Sequence, residues 1–92
     1  MLNVTNVGVA LSTHSQITIG TTVTPIIGVT PGRAALLLAN SGSATVWIGS
    51  AAVSTSNGFP LAPSAIIGLP VTSALYGIAA SASQTVGYLE FK

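Results

Sequence analysis

Few side chains in this 92-residue sequence could do chemistry. Glu90 is the only acidic side chain, His14 is the only histidine, and the basic side chains are Arg33 and Lys92. General acid–base catalysis usually needs two titratable groups, and a zinc or iron site needs three or four ligating side chains. His14 and Glu90 could be combined with any of eleven serines, but no G-x-S-x-G motif supports a triad. We therefore expect that the protein is not an enzyme and that it binds neither a metal ion nor a cofactor.

The charge composition excludes further classes of function. Charged residues make up 3% of the sequence, and the formal net charge is +1. Two basic side chains cannot neutralise the phosphates that give nucleic-acid binding its affinity, and they cannot supply a polybasic membrane contact. The longest apolar run, Ala34–Ala39, is much shorter than the roughly 20 residues of a membrane helix. We therefore predict neither a nucleic-acid partner nor a membrane partner.

The same composition favours association with other chains. Hydrophobic residues make up 49% of the sequence, and it contains no cysteine, so the small core has no disulfide. A chain with so little net charge lacks the repulsion that keeps proteins apart in solution. We expect a homo-oligomer, with a trimer preferred over a dimer, inside a larger assembly.

Alternating side chains predict strands. In residues 16–24, Ile17, Ile19 and Val23 fall on one face and polar residues fall on the other, which is typical of a half-buried strand. Seven or eight short strands at about ten-residue spacing indicate an all-β, antiparallel sandwich or small barrel. Besides those discussed here, the predicted strands are 59–61, 65–69, 74–80 and 84–91. After the interruption by Pro25, residues 26–30 are either a separate strand or an edge continuation after a bulge.

The middle of the chain carries the clearest local signals. Thr30-Pro31-Gly32-Arg33 predicts a type II turn, because proline presets the second position and glycine allows the third. The apolar run 33–39 then predicts a central strand covered on both faces. Together with 44–49 across the loop 40–43, it predicts a β-hairpin.

The first fifteen residues have no clear period, so we divide the chain into residues 1–15 and a β-sandwich domain of residues 16–92. The segment 1–15 is either an additional edge strand or an arm that becomes ordered on a partner, and both alternatives remain open. Extended arms bind exposed sheet edges through main-chain hydrogen bonds. Its apolar side chains are candidate contact residues, namely Leu2, Val4, Val7 and Val9.

Three further residues are candidates for an interface. Arg33 is either a capping or surface side chain or half of a salt bridge across a subunit contact. Glu90 would pair with Arg33 or Lys92 of the same or a neighbouring chain. Trp47 is by default a core residue, with an interface anchor as the next interpretation. A third interpretation is stacking on a sugar, with help from the other aromatic residues Phe59, Tyr76 and Tyr88.

Four stretches carry a resemblance to a known class of proteins. They are RAALLLANSGSATVWIG (33–49), NGFPLAP (57–63), ALYGIAA (74–80) and VGYLEF (86–91). In this pattern of strand and turn residues, the chain resembles the small β-rich decoration, or cement, proteins of tailed-bacteriophage capsids. The resemblance implies a single jelly-roll-like β-sandwich that binds the outer face of a capsid lattice, often as a trimer. It implies no catalytic residues.

We therefore expect a non-enzymatic virion structural protein, made in the host cytoplasm and located on the capsid surface. It would decorate and stabilise the assembled phage capsid by binding adjacent subunits of the major capsid protein. The alternative is a receptor- or glycan-binding module of a head or tail fibre, which would show a ligand site at the aromatic residues. A general oligomerisation module is a third possibility.

Overall fold

Eight β-strands form the regular structure of residues 10–81 and 83–92, the part of the chain that the computed structural model describes. The sequence predicted seven or eight strands, and the structure has eight. The described residues contain no helix. The strands are β1 (Leu11–Ile19), β2 (Thr24–Ile27), β3 (Ala35–Asn40), β4 (Val46–Gly49), β5 (Phe59–Leu61), β6 (Ile66–Leu69), β7 (Leu75–Ala79) and β8 (Gln84–Phe91).

The strands lie in two four-stranded sheets. Sheet A has the order β1-β8-β3-β6 and sheet B has the order β2-β7-β4-β5, with every neighbouring pair antiparallel. Consecutive strands alternate between the sheets, except that β4 and β5 pair directly within sheet B. This interleaved order of eight strands is that of a jelly roll. The expectation of an all-β, antiparallel, jelly-roll-like sandwich is confirmed.

The core lies between the two sheets. In β3, Leu36 and Leu38 are fully buried, whereas Leu37 between them is 37% exposed on the outer face of sheet A. The expectation that this strand is covered on both faces is therefore wrong, because only its inner face packs against sheet B. The buried hydrophobic cluster consists of Ile19, Ile26, Leu36, Leu38, Val46, Ile48, Leu61, Ala79 and Val86.

The predicted hairpin of 33–39 with 44–49 is also wrong. β3 pairs with β6 and β8 in sheet A, while β4 pairs with β5 and β7 in sheet B. The side-chain amide of Asn40 donates to the carbonyls of Ala44 and Leu61, at 2.9 and 2.8 Å. These bonds hold the connecting loop across the end of the sandwich. The chain therefore passes from sheet A to sheet B, whereas a hairpin would have kept both strands in the same sheet.

The predicted strand 16–24 ends earlier than expected and starts before Gln16. β1 stops at Ile19, the chain crosses between the sheets, and β2 begins at Thr24, so Ile19 in sheet A and Ile26 in sheet B meet in the core. At its other end β1 begins at Leu11. It therefore runs through the sequence-based division between residues 15 and 16.

The predicted type II turn is present and positions Arg33. Gly32 has a φ of 82°, and the backbone amide of Arg33 donates to the carbonyl of Thr30 at 3.1 Å. The positive φ is the one that glycine adopts without strain at the third position of this turn. The turn places the Arg33 side chain at the start of β3, inside the end of the sandwich.

Two neighbouring leucines test the assignment of the core. Leu38→Ala should lower the free energy of unfolding by about 2–5 kcal/mol, because it removes a fully buried side chain and leaves a cavity. Leu37→Ala on the outer face should cost about 1 kcal/mol or less. Urea unfolding followed by tryptophan fluorescence measures both. Equal losses in the two variants would contradict the orientation of β3.

Candidate functional site

Arg33 forms the most highly connected polar group in the described structure. Its side chain is fully buried, and all five N–H donors of the guanidinium are used. The acceptors are Glu90 Oε2 (2.9 Å, from Nε), the carbonyls of Val71 (3.0 Å) and Ser73 (3.1 Å), the carbonyl of Gly28 (2.7 Å) and Thr30 Oγ1 (2.9 Å). The arginine therefore connects the β2–β3 loop, the β6–β7 loop and strand β8.

Glu90 extends this connection to the edge strand. Its side chain is 5% exposed, and its second carboxylate oxygen accepts a hydrogen bond from Thr13 Oγ1 on β1 at 2.8 Å. The hydrogen bond from Arg33 and, next, the one from Thr13 lower the pKa of the Glu90 carboxyl from 4.5 to about 2, against the opposing effect of burial. We call Arg33, Glu90, Thr13 and Thr30 the Arg33–Glu90 cluster.

The cluster is a structural element, because it leaves no donor of Arg33 for a ligand. An external anion could bind the guanidinium only by displacing Glu90 or the loop carbonyls. The salt bridge considered from the sequence thus exists within one chain, between Arg33 and Glu90. The four other predicted contact residues, Leu2, Val4, Val7 and Val9, lie outside the described residues.

Trp47 lies on the outer face of sheet B, so the default interpretation as a core residue is wrong. Val46 and Ile48 on either side of it are buried in the core, and Trp47 itself is half-buried. The sequence already placed these neighbours on the opposite face, since side chains alternate along a strand. The outer face of sheet B carries an uncharged group that we call the sheet B patch: Pro25, Trp47, Pro60, Tyr76 and Ile78.

The four aromatic residues proposed for sugar stacking do not form one platform. Trp47 and Tyr76 share the sheet B patch, where Tyr76 lies opposite Gly49 and is thus a diagonal neighbour of Trp47. Tyr88 packs against the core. Phe59 is 56% exposed at the edge strand β5. Only Trp47 and Tyr76 share a face on which one ligand could stack.

Two cavities accompany these surfaces, and neither is lined by an ionisable side chain. A cavity of about 260 Å³ lies under the β4–β5 loop, next to Val53, Asn57 and Gly58. A cavity of about 320 Å³ opens between the sheets on the side of β5 and β6, and its lining is almost wholly apolar. Its wall consists of Ile48, Gly49, Phe59, Ile67, Leu69 and Leu75.

Asn40 and Gln84 are buried polar residues that the sequence reasoning missed. Asn40 is 1% exposed and Gln84 is 4% exposed, and Gln84 Oε1 accepts from the amides of Ser43 and Ala44 at 2.8 and 3.0 Å. A Cβ at Gly42 would collide with the Gln84 side chain, which would then have to shift from its position against the amides of Ser43 and Ala44. The sequence signal was Asn40 at a strand end, two residues before a glycine. Both residues hold the end of the sandwich opposite the Arg33–Glu90 cluster.

The described residues contain no group of three or more His, Cys, Asp or Glu side chains that could hold a metal ion. No helix in the described ranges has the length and apolar character needed to cross a membrane. His14 is exposed on β1, and the nearest residue across the ladder is Leu89.

Comparison with protein-family models, with curated proteins and with solved structures finds no match to this chain.

The Arg33–Glu90 cluster predicts how stability depends on pH. The unfolded chain takes up a proton at Glu90 near pH 4.5, whereas the folded chain keeps the carboxylate until about pH 2. The unfolded state therefore binds more protons within this window, and the free energy of unfolding should fall as the pH falls from about 4.5 to about 2. The contribution of Glu90 is fully present above pH 4.5. The urea concentration at the midpoint of unfolding, measured at several pH values between about 2 and about 5, tests the prediction.

Glu90→Gln is the matched control, because it keeps a side-chain oxygen acceptor and removes the titration. Glu90 is the only acidic side chain in the sequence, so the variant should lose the acid dependence between about pH 4.5 and pH 2. It should also be less stable than the wild type at neutral pH, since a buried guanidinium loses its counter-ion. A variant that retains the wild-type pH dependence would contradict the assignment.

Proposed function

We propose that the protein is a non-enzymatic virion structural protein that decorates a phage capsid and stabilises it by binding adjacent subunits of the major capsid protein. One observation carries the proposal. Of the three charged side chains in the sequence, Arg33 and Glu90 are buried together, and only Lys92 is exposed. A surface with one charged side chain gives little colloidal repulsion, and it is suited to permanent contact with other protein.

The exposed apolar residues supply the contact chemistry of this proposal. The outer face of sheet A presents Leu37 and Leu89 directly opposite each other, with Ile66 at its far edge 69% exposed. The outer face of sheet B presents the sheet B patch. Contacts of this type draw their free energy from apolar area removed from water and from hydrogen bonds to hydroxyl and backbone groups. They can be spread over neighbouring capsid subunits without charged partners.

The direct experiment is quantitative mass spectrometry of virions from the source phage, purified on a density gradient. We expect this chain at a fixed ratio to the major capsid protein, in intact particles and in DNA-free heads. Absence from the particles would overturn the proposal. Presence only at the few copies of a fibre would overturn it in favour of the alternative below.

Attachment to the particle should depend little on ionic strength. Exposed charge pairs are screened over about 8–10 Å at physiological salt, and this surface has one charged side chain to take part in such pairs. Washing decorated particles at about 50 mM and at about 500 mM salt should therefore release similar amounts of protein, because apolar contacts are not weakened by screening. Release that rises steeply over this range would contradict the proposed contact chemistry.

The position of Trp47 favours a second candidate function, a receptor- or glycan-binding module. Trp47 and Tyr76 lie on the same outer face as diagonal neighbours, about 7–8 Å apart at their Cα atoms. Half-buried aromatic rings on a flat sheet face can stack on the apolar face of a sugar. This function would require a ligand-specific site on the sheet B patch.

Trp47 variants separate folding from binding. Trp47→Ala should leave a folded protein and lower its melting temperature less than Leu38→Ala does, because the half-buried ring lies on the outer face while Val46 and Ile48 fill the core. Under the glycan alternative it should abolish retention on a glycan array, while Trp47→Phe retains part of it. Array binding by the wild type that disappears in Trp47→Ala would favour the alternative, and no binding by the wild type would count against it.

A further inference from the structure

β1 is the longest strand of the fold and it lies at an edge. It occupies the outside of sheet A, and among the described residues β8 is its only strand partner. Its nine residues correspond to a length of about 31 Å at the usual rise of a strand. They include no proline and no Asp, Glu, Lys or Arg. Only the irregularity between Leu11 and Thr13 interrupts the ladder, so residues 13–19 present a regular edge.

The other three edges of the sandwich are protected. β2 has four residues, contains Pro25 and has an irregularity directly after it. β5 has three residues and contains Pro60, while β6 has four residues and is followed by Pro70. Shortness, proline and bulges are the usual means by which proteins prevent edge-to-edge pairing. Among the described strands only β1 lacks such protection along most of its length.

The first part of β1 gains little from packing within its own chain. Residues 11–16 are all exposed, and burial begins at Ile17 and is complete at Ile19. Ordering a backbone costs about 1–2 kcal/mol per residue, which burial normally offsets. Here the ladder with β8 and the hydrogen bond from Thr13 to Glu90 hold the strand in place. Its outer edge would be satisfied by a further strand.

We propose that β1 is a dimerisation edge, on which a second copy of this chain pairs its own β1 in the antiparallel direction. The pairing joins two copies of sheet A into one continuous eight-stranded sheet across a two-fold axis. No like charges oppose each other, because β1 carries no formal charge at neutral pH, and a net charge of +1 per chain gives little repulsion between copies. The proposal differs from the trimer preferred on the sequence alone, and it deepens the proposed function by assigning two-fold symmetry to its homo-oligomer.

The same edges argue against a three-fold ring built by strand pairing. In a ring each chain must use two different surfaces, so β1 would have to pair with another edge of the next copy. The alternatives β2, β5 and β6 are the three protected edges described above. Self-pairing of β1 uses one surface twice and closes at two copies.

The experiment compares two double lysine variants with the wild type by size exclusion with light scattering. His14→Lys with Gln16→Lys places two charges on each exposed β1. Val29→Lys with Ile66→Lys adds the same charge at positions that are 68% and 69% exposed and lie outside β1. The wild type and this control should have twice the 9.1 kDa chain mass. The β1 variant should dissociate, with Kd raised at least about tenfold by the like charges brought together.

Backbone hydrogen exchange provides a second readout that does not depend on a substitution. In the wild-type dimer the outward-pointing amides, which alternate along residues 13–19, should be protected, and dilution below Kd should remove that protection. A chain lacking residues 1–9 retains β1 and should dimerise like the full chain.

Several outcomes would overturn the assignment. They are a trimer, a monomer at every soluble concentration, a dimer that persists in the β1 variant, or loss of the dimer when only residues 1–9 are removed. A β1 variant that is monomeric and shows wild-type circular dichroism supports it. Dimerisation is measured on the isolated protein, so its failure is independent of whether virions contain the chain.

Discussion

The fold depends on one buried guanidinium. Arg33 donates five hydrogen bonds, and their acceptors come from two crossover loops and from strand β8, while Glu90 carries the connection on to β1. A jelly roll of this length has irregular loops that must cross between sheets, and their carbonyls need donors when they are buried. A single arginine supplies those donors in a rigid geometry, and its charge is balanced by the only carboxylate side chain of the chain. Removal of either partner would leave the other as an unpaired buried charge.

This arrangement determines the chemistry of the surface. Since the Arg33–Glu90 cluster buries two of the three charged side chains, the exterior consists mainly of apolar residues, glycine, serine and threonine, with Lys92 as its one charged side chain. The many serines and threonines among the described residues keep such a surface hydrated without giving it a net field. They can also hydrogen-bond to a neighbouring protein at little desolvation cost compared with a charge. The scarcity of exposed charge thus follows from a sequence with three charged side chains, two of which are buried together, and it suits contact with other chains.

Period-two alternation was enough to predict the fold class and most strands, because alternation reports which side chains face the core. Pairing was not predictable in the same way. The hairpin expected between 33–39 and 44–49 assumed that neighbours in sequence are neighbours in a sheet, whereas Thr13 and Glu90, 77 positions apart, lie side by side. Trp47 shows the opposite failure: the alternation separated it from Val46 and Ile48, and the general preference of tryptophan for cores led to the wrong interpretation. Arg33 and Glu90 were identifiable as partners because the sequence offers so few charges.

The length of β1 follows from the same constraint. Glu90 lies near the end of β8, so β1 must extend as far as Thr13 for the threonine hydroxyl to reach the carboxylate. Residues 11–16 of the strand are exposed. The other edge strands have three or four residues, and β2 and β5 contain proline. β1 thus keeps a regular, uncharged edge in the strand that Thr13 ties to Glu90, and the proposed pairing with a second chain would satisfy its outward-pointing backbone groups without altering the Arg33–Glu90 cluster.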